Sequence, residues 1–216
     1  MSSLEAHLQR QIDHSRNFFW HRLRWRAVAA QLPTDRPFRL LDVGAGAGLL
    51  GVFLERDFPA ARYMFLEPIE SLRLSLEATY GQADDRKFLA ELLGRMVRGA
   101  RLIITVPALM GLWSGWDVAL GHYRRYDRAS LRRAIDGLPV EVMEMSFLFP
   151  ELIPLGLVRK RLREASPNGL PTSESAAFPD LPGVLNDGLY LIGRCSLALR
   201  RHAPIGSSLL AVLRKT

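Results

Sequence analysis

The chain has 216 residues, enough for one domain with a sizeable core, and its 48% hydrophobic and 24% charged content is that of a globular protein. A single cysteine, Cys195, excludes an internal disulfide framework, and no Cys/His cluster has the spacing of a metal site. The formal net charge of +7 is nearly all arginine, spread along the chain and not gathered in one block, so it reads as a solvated surface as readily as a face for an anionic partner.

In chain order, residues 3–32 carry Phe18, Phe19, Leu23, Val28 and Leu32 at roughly helical spacing, with arginines between them. The N-terminus is charged throughout and lacks the apolar stretch of a secretory signal. PTDRP (33–37) breaks the helix, and FRLLDVG (38–44) is a short apolar strand leading into a glycine turn and a helix. ARYMFLEP (61–68) is a second strand, and 69–80 an amphipathic helix with Ile69, Leu72, Leu76 and Tyr80 on one side. Directly after Gly81 another helix begins, capped at Asp84 or Asp85 and burying Phe88, Leu89, Leu92, Leu93 and Met96. Strands are expected at 100–108, 140–149 and 207–215, and a helix at 128–138 with a glycine stop. Two segments that run from apolar to basic, ELIPLGLVRKRLREA and GVLNDGLYLIGRCSLALRRH, flank a loop rich in Ser, Pro and Gly. No stretch has the length of a membrane span; the nearest, SFLFPELIPLGLV, is interrupted by Pro150, Glu151 and Pro154.

Strands alternating with helices predict a mostly parallel sheet covered on both faces, with ligands at the carboxyl ends of the strands. That rim holds Gly44 to Gly48, Glu67 and the loop after Pro107. The glycine turn is no phosphate loop, because no Gly-Lys-Ser/Thr follows. Nor is it the dinucleotide fingerprint, whose third glycine position is Leu49. Its pattern is Asp42-x-Gly44-x-Gly46-x-Gly48. A carboxylate beside the turn repels a pyrophosphate and attracts an ammonium or sulfonium group. Glu67, at the end of the second strand, can accept hydrogen bonds from both hydroxyls of a ribose. A cationic nucleoside without phosphate meets both conditions, and S-adenosyl-L-methionine is one.

With those residues, LLDVGAGAGLLG and Glu67, the chain resembles the class I S-adenosylmethionine-dependent methyltransferases. FFWHRLRWR, GHYRRY within the loop after the 100–108 strand, and PIGSSLLAVLRK are similar to one bacterial branch of that superfamily, and Arg24 matches its N-terminal arginine. The resemblance implies a Rossmann-like three-layer α/β sandwich and a cofactor site of Asp42, Gly44, Gly46, Gly48, Glu67 and Arg24. It also exposes a gap. Members carry two further strands where this chain has only YGQADDRKF, so the sheet is expected to lack its third and fourth strands. Two explanations stay open. The stretch belongs to the natural protein and is missing from this chain, or the chain is a shortened relative whose 100–107 strand pairs directly with 39–44. The expected organisation is a single domain over 1–216, comprising a helical region (1–37), a core (38–149), a helical insertion (150–204) and the last strand (205–216).

Methyl transfer needs a positioned acceptor and, for a protonated one, a base. The loop after Pro107 supplies the candidates. His122 is the first choice for base, Asp117 either orients it or acts as base itself, and Tyr126 completes the set. Arg124 and Arg125 either clamp an anionic acceptor or neutralise Asp117 and Asp127. The two apolar-to-basic segments suit a helical cap over the acceptor pocket, and they also suit helices lying on a membrane with a lipid-linked acceptor. The expected setting is the cytoplasm, with peripheral contact at the inner face of the membrane under the second reading. A non-catalytic, methyltransferase-like interaction module is the alternative function. A nucleic-acid partner is not expected, because no motif for a flipped base is present.

Overall fold

A computed structural model describes residues 15–43, 48–66, 85–115, 117, 122–164 and 181–216. Its contacts group the chain into two compact units, Met1–Gln82 with Gly183–Tyr190, and Ala83–Pro182 with Leu191–Thr216.

The first unit begins with helix α1, Phe19–Ala29, which buries Phe19, Leu23, Trp25, Ala27 and Val28 along one face. Its N-cap residue, Phe18, has no side chain to bond the free N–H groups of the first turn. Asn186 substitutes from far along the chain: its Oδ1 accepts the Phe19 N–H at 2.8 Å. Strands β1, Arg39–Val43, and β2, Arg62–Leu66, pair in parallel, with Leu40 opposite Tyr63 and Asp42 opposite Phe65. Helix α2, Leu49–Asp57, follows Gly48, whose φ of +73° is the left-handed conformation that glycine adopts without a Cβ penalty. Trp25 stacks on Phe53 of α2 with ring centroids 5.8 Å apart, and its Nε1 donates to Asp57 Oδ2 at 2.6 Å.

The second unit holds helix α3, Asp85–Arg95, strand β3, Arg101–Pro107, helix α4, Arg128–Ile135, strand β4, Val140–Leu148, helix α5, Ile153–Glu164, and strand β5, Ser208–Lys215. Helix α6, Gly183–Ala198, runs from one unit into the other. The sheet order is β3-β5-β4, antiparallel on both sides of β5. Leu209 to Leu213 of β5 are all buried, and Leu209, Ala211 and Leu213 pack with Leu89, Leu131, Ile135 and Phe147. A continuous apolar run of this kind marks a strand covered on both faces. Asp127 caps α4 through a reciprocal box with Ser130, and Gly137, at φ +67°, turns the chain after it.

Every expected strand forms within two residues of its expected ends. The pairing departs from expectation: only β1–β2 is parallel, while both ladders of the larger sheet are antiparallel. The cause is topological. β3 and β4 share a direction, and β5 enters between them in the opposite one. The expected helix at 128–138 stops at Ile135. The expected helix at 69–80 and the short 81–84 junction lie outside the described residues.

A register shift between Val142 and Glu144 turns the Glu144 carboxylate inward. Arg200 grips it at 2.7 and 3.1 Å, Arg201 lies 3.3 Å away, and the Ser146 hydroxyl donates at 2.6 Å. Burial alone would raise the Glu144 pKa, but the Arg200 and Ser146 hydrogen bonds and the two arginine charges hold it below the ordinary glutamate value. A depressed pKa contributes stability above the unfolded-state value, and that contribution is lost as pH falls through the folded one. Glu144→Ala is expected to lower unfolding free energy by about 3 kcal/mol, because it strands a half-buried guanidinium. Urea titrations at about pH 7 and about pH 3 check both points, since the deficit should shrink at the lower pH.

Candidate functional site

Asp42 stands one residue from the end of β1, half buried, and Tyr63 of β2 lies one pleat back on the same face of the sheet. The Tyr63 hydroxyl donates to Asp42 Oδ2 at 2.9 Å. Burial and this bond to a carboxylate push the Tyr63 pKa well above the ordinary tyrosine value, so the phenol stays a donor. Gly51 makes the arrangement possible: a Cβ there would come within 2.6 Å of the Tyr63 ring. Among the described residues, Asp42 Oδ1 has no hydrogen-bond partner. Among the described residues a Cβ on Gly48 would meet nothing within 4 Å, so those residues leave the start of α2 open. Arg24 is exposed as a whole residue, yet crowding by the surrounding chain lowers the pKa of its guanidinium, and the negative charge of Asp42 acts in the opposite sense. Asp42 and Arg24 therefore lie within electrostatic reach of each other. Gly44, Gly46 and Glu67 lie outside the described residues.

The second group of candidates follows β3. Leu109 takes φ +66°, a conformation disfavoured for a residue with a Cβ, where the chain turns out of the strand. A single 3₁₀ turn, Met110–Leu112, comes next. Asp117 is almost completely buried, and its carboxylate organises the segment. Oδ2 accepts the Ser114 N–H at 3.0 Å, and Oδ1 lies 3.1 Å from His122 Nδ1. Arg125 Nε stands 3.0 Å from Oδ1 as an ion pair, without the alignment of a hydrogen bond, while its Nη1 donates to the Ala108 carbonyl. Burial would raise the Asp117 pKa; the His122 bond, the Arg125 charge and the Ser114 N–H outweigh it and hold the carboxyl below the ordinary range. An ionised carboxylate only accepts, so Nδ1 of His122 must carry the proton, and Nε2 of the neutral ring is left as the acceptor.

Tyr126 is pinned by its backbone, donating to the Pro107 carbonyl and accepting from Leu109. Its hydroxyl donates to Asp85 Oδ2 at 2.7 Å, and Arg124 lies 3.3 Å from the same oxygen. Burial and the Asp85 bond raise the Tyr126 pKa well above the ordinary value. Asp85, expected only as a helix cap, is thus the partner of two loop residues. Tyr63 and Asp85 are the site residues that the sequence reading missed. The one signal for Tyr63 was its position one pleat from a strand-end aspartate.

A cavity of about 400 Å³ lies elsewhere, at the carboxyl ends of α1 and α2 and the opposite end of α2 from Gly48. Arg22, Arg26 and Arg56 line it, but Arg26 and Arg56 occupy last helical turns, where the helix dipole favours cations.

No family model matches the chain, and no curated protein matches it. Among solved structures it is similar to a SAM-dependent methyltransferase from Archaeoglobus fulgidus, at 15% identity over 89% of this chain and 91% of that one, with a TM-score of 0.45.

Asp117→Asn should disturb the loop in two measurable ways. It removes the charge opposite Arg125, with an expected loss of about 3 kcal/mol in chemical denaturation. It also removes the acceptor that fixes the ring, so imidazole ¹⁵N spectra at alkaline pH should show a single Nδ1–H form of His122 in the parent protein and a mixture in the variant. A mixture already present in the parent protein would contradict the assignment.

Proposed function

We propose that the chain transfers a methyl group from S-adenosyl-L-methionine to a small-molecule or lipid-linked acceptor. The observation that carries this reading is the end of β1: a half-buried aspartate with one oxygen unpartnered among the described residues, followed by a left-handed Gly48 and a helix start that those residues leave open. These features fit a positively charged nucleoside better than a phosphate, which the Asp42 charge would repel. The sequence likeness in LLDVGAGAGLLG supports the same ligand.

In this reading Asp42 faces the cationic part of the cofactor, and Tyr63 fixes the rotamer of its carboxylate. Arg24 offers a guanidinium to the amino-acid carboxylate, and Glu67 takes the ribose hydroxyls. Gly44, Gly46 and Gly48 let the backbone come close. When bound, the cofactor supplies an electrophilic methyl group, so the protein has to position the acceptor and manage its proton. His122 Nε2 receives that proton, and Asp117 holds the ring in the tautomer that can do so and stabilises the imidazolium that results. Tyr126, through Asp85, fastens the loop to α3 and keeps His122 in place. No metal takes part in this scheme, and no group of metal-binding side chains occurs among the described residues.

The alternative is a non-catalytic interaction module. The feature that favours it is the short 81–84 junction in the sequence, which leaves no room for two strands that the resemblance leads one to expect.

Calorimetry with S-adenosylmethionine and S-adenosylhomocysteine separates the two. Binding of both is expected, with the affinity for the sulfonium form falling at least tenfold in Asp42→Asn, about the worth of a charge-assisted contact. His122→Ala is expected to leave binding intact and lower turnover by about a hundredfold once an acceptor is supplied. Absence of heat with either ligand would favour the interaction module.

A further inference from the structure

Helix α6 carries an apolar stripe that the described residues leave exposed. Val184 is 90% exposed, and Leu185, Leu191, Ile192 and the C-cap residue Leu199 are each exposed by half or more. These residues recur at i, i+1, i+7, i+8 and i+15, which confines them to about a third of the helix circumference. The opposite side, with Gly193 and Leu197, is the buried one. The stripe is therefore the solvent side of a helix whose other side packs, and scattered surface apolar residues would show no such alignment.

The charges around it are basic. Arg194 is exposed beside the stripe and has no acidic partner among the described residues, and beyond the helix end Arg200 and Arg201 together outnumber the one acid they share, Glu144. The single acid of α6, Asp187, is engaged by Arg22 at 3.2 Å. Helix α5 repeats the order, with Leu155 and Val158 more than half exposed and then an exposed Arg161. Among the described residues no helix is long and apolar enough to cross a membrane, and the 16 residues of α6 span about 24 Å.

We propose that α6 lies in the interfacial plane of an anionic phospholipid membrane, its leucine and isoleucine stripe among the acyl chains and its arginines at the headgroups. An amphipathic helix of this length with basic residues at one margin and one end has the chemistry for that position. A second copy of the chain is the poorer occupant, since each copy carries a net charge of +7 and the arginines beside the stripe would approach one another. The proposal turns the helical segment away from a cap over an acceptor pocket, which would require the same residues to be buried. It does not depend on the methyl-transfer reading, because membrane binding needs no cofactor.

Sedimentation with phosphatidylcholine vesicles, with and without phosphatidylglycerol, tests it. The whole protein should bind the anionic vesicles, less tightly as salt is raised. The double variant Leu191→Gln/Ile192→Gln should lose at least tenfold in affinity, and Arg161→Gln/Arg194→Gln roughly twenty-five-fold, at about fivefold per charge. All four residues are exposed, so circular dichroism melts of both variants should match the parent. Failure to bind anionic vesicles, or binding unchanged in the leucine–isoleucine variant, overturns the proposal. A concentration-dependent dimer abolished by that same variant would assign the stripe to a second copy and also overturn it.

Discussion

The second unit is arranged around one electrostatic constraint, the burial of the Asp117 charge. An ionised carboxylate taken out of water loses several kcal/mol of solvation unless donors replace the water. Here two donors and one cation do so from three points of the chain: the Ser114 N–H, the His122 ring and the Arg125 guanidinium. Each of them is thereby held in place. The Ser114 contact ties down the segment leaving the 3₁₀ turn, Arg125 is bound in turn to the Ala108 carbonyl at the end of β3, and His122 acquires a defined tautomer. A loop that would otherwise have no fixed geometry presents one imidazole nitrogen in one chemical state. That is the form in which a loop can carry a base.

Four acids illustrate how environment, and not residue type, assigns roles. Glu144 meets two arginines and a hydroxyl inside the sheet, and its job is to fix the 3₁₀ turn Arg200–His202 against β4. Asp85 receives Tyr126 and Arg124 and anchors a loop. Asp117 orients a histidine. Asp42 and Asp85 each keep an oxygen with no hydrogen-bond partner among the described residues, and Asp42 stands at a strand end beside a helix start that those residues leave open. Glu144 and Asp117 have both oxygens committed to the protein. Asp42 combines spare acceptor capacity with a place at the carboxyl end of a strand, and the functional reading rests on the two together.

Much of this was legible in the sequence, and the reasons are local. β1 and β5 are short apolar runs bounded by turn residues, so their ends could be read to within a residue. The glycine stop of α4 was read from Gly137, although the helix itself ends at Ile135, because Asp136 already leaves helical geometry with ψ 132°. The direction of β5 was not legible. Nothing in SSLLAVLRK distinguishes a strand that runs with its neighbours from one that runs against them, since that depends on where the preceding chain delivers it. The Tyr63–Asp42 bond was hidden for a related reason: it depends on β-register, and on Gly51 lacking a side chain in a different element. The exposed stripe on α6 could be read as spacing, but which side of the helix would be packed could not.

The first unit poses the harder physical question, which is what holds Asp42 where it is. A two-stranded ladder is marginal by itself. β1 and β2 also leave Leu41, Met64 and Phe65 about half exposed or more, so their burial contributes little. The rigidity must come from the helices. Trp25 and Phe53 stack, Phe58 meets Trp25 and Phe38 edge-on, and Asp57 joins α1 to α2 through the Trp25 indole while accepting Arg56. Aromatic pairs of this kind are worth about 1 kcal/mol each beyond the area they bury. Phe38 precedes β1 directly, so the cluster fixes the start of that strand, and the Tyr63 hydroxyl fixes its end at Asp42. Position at the candidate site is thus set by an aromatic cluster at one end of the strand and a single hydrogen bond at the other. The β1–β2 ladder passes that position along and does not generate it.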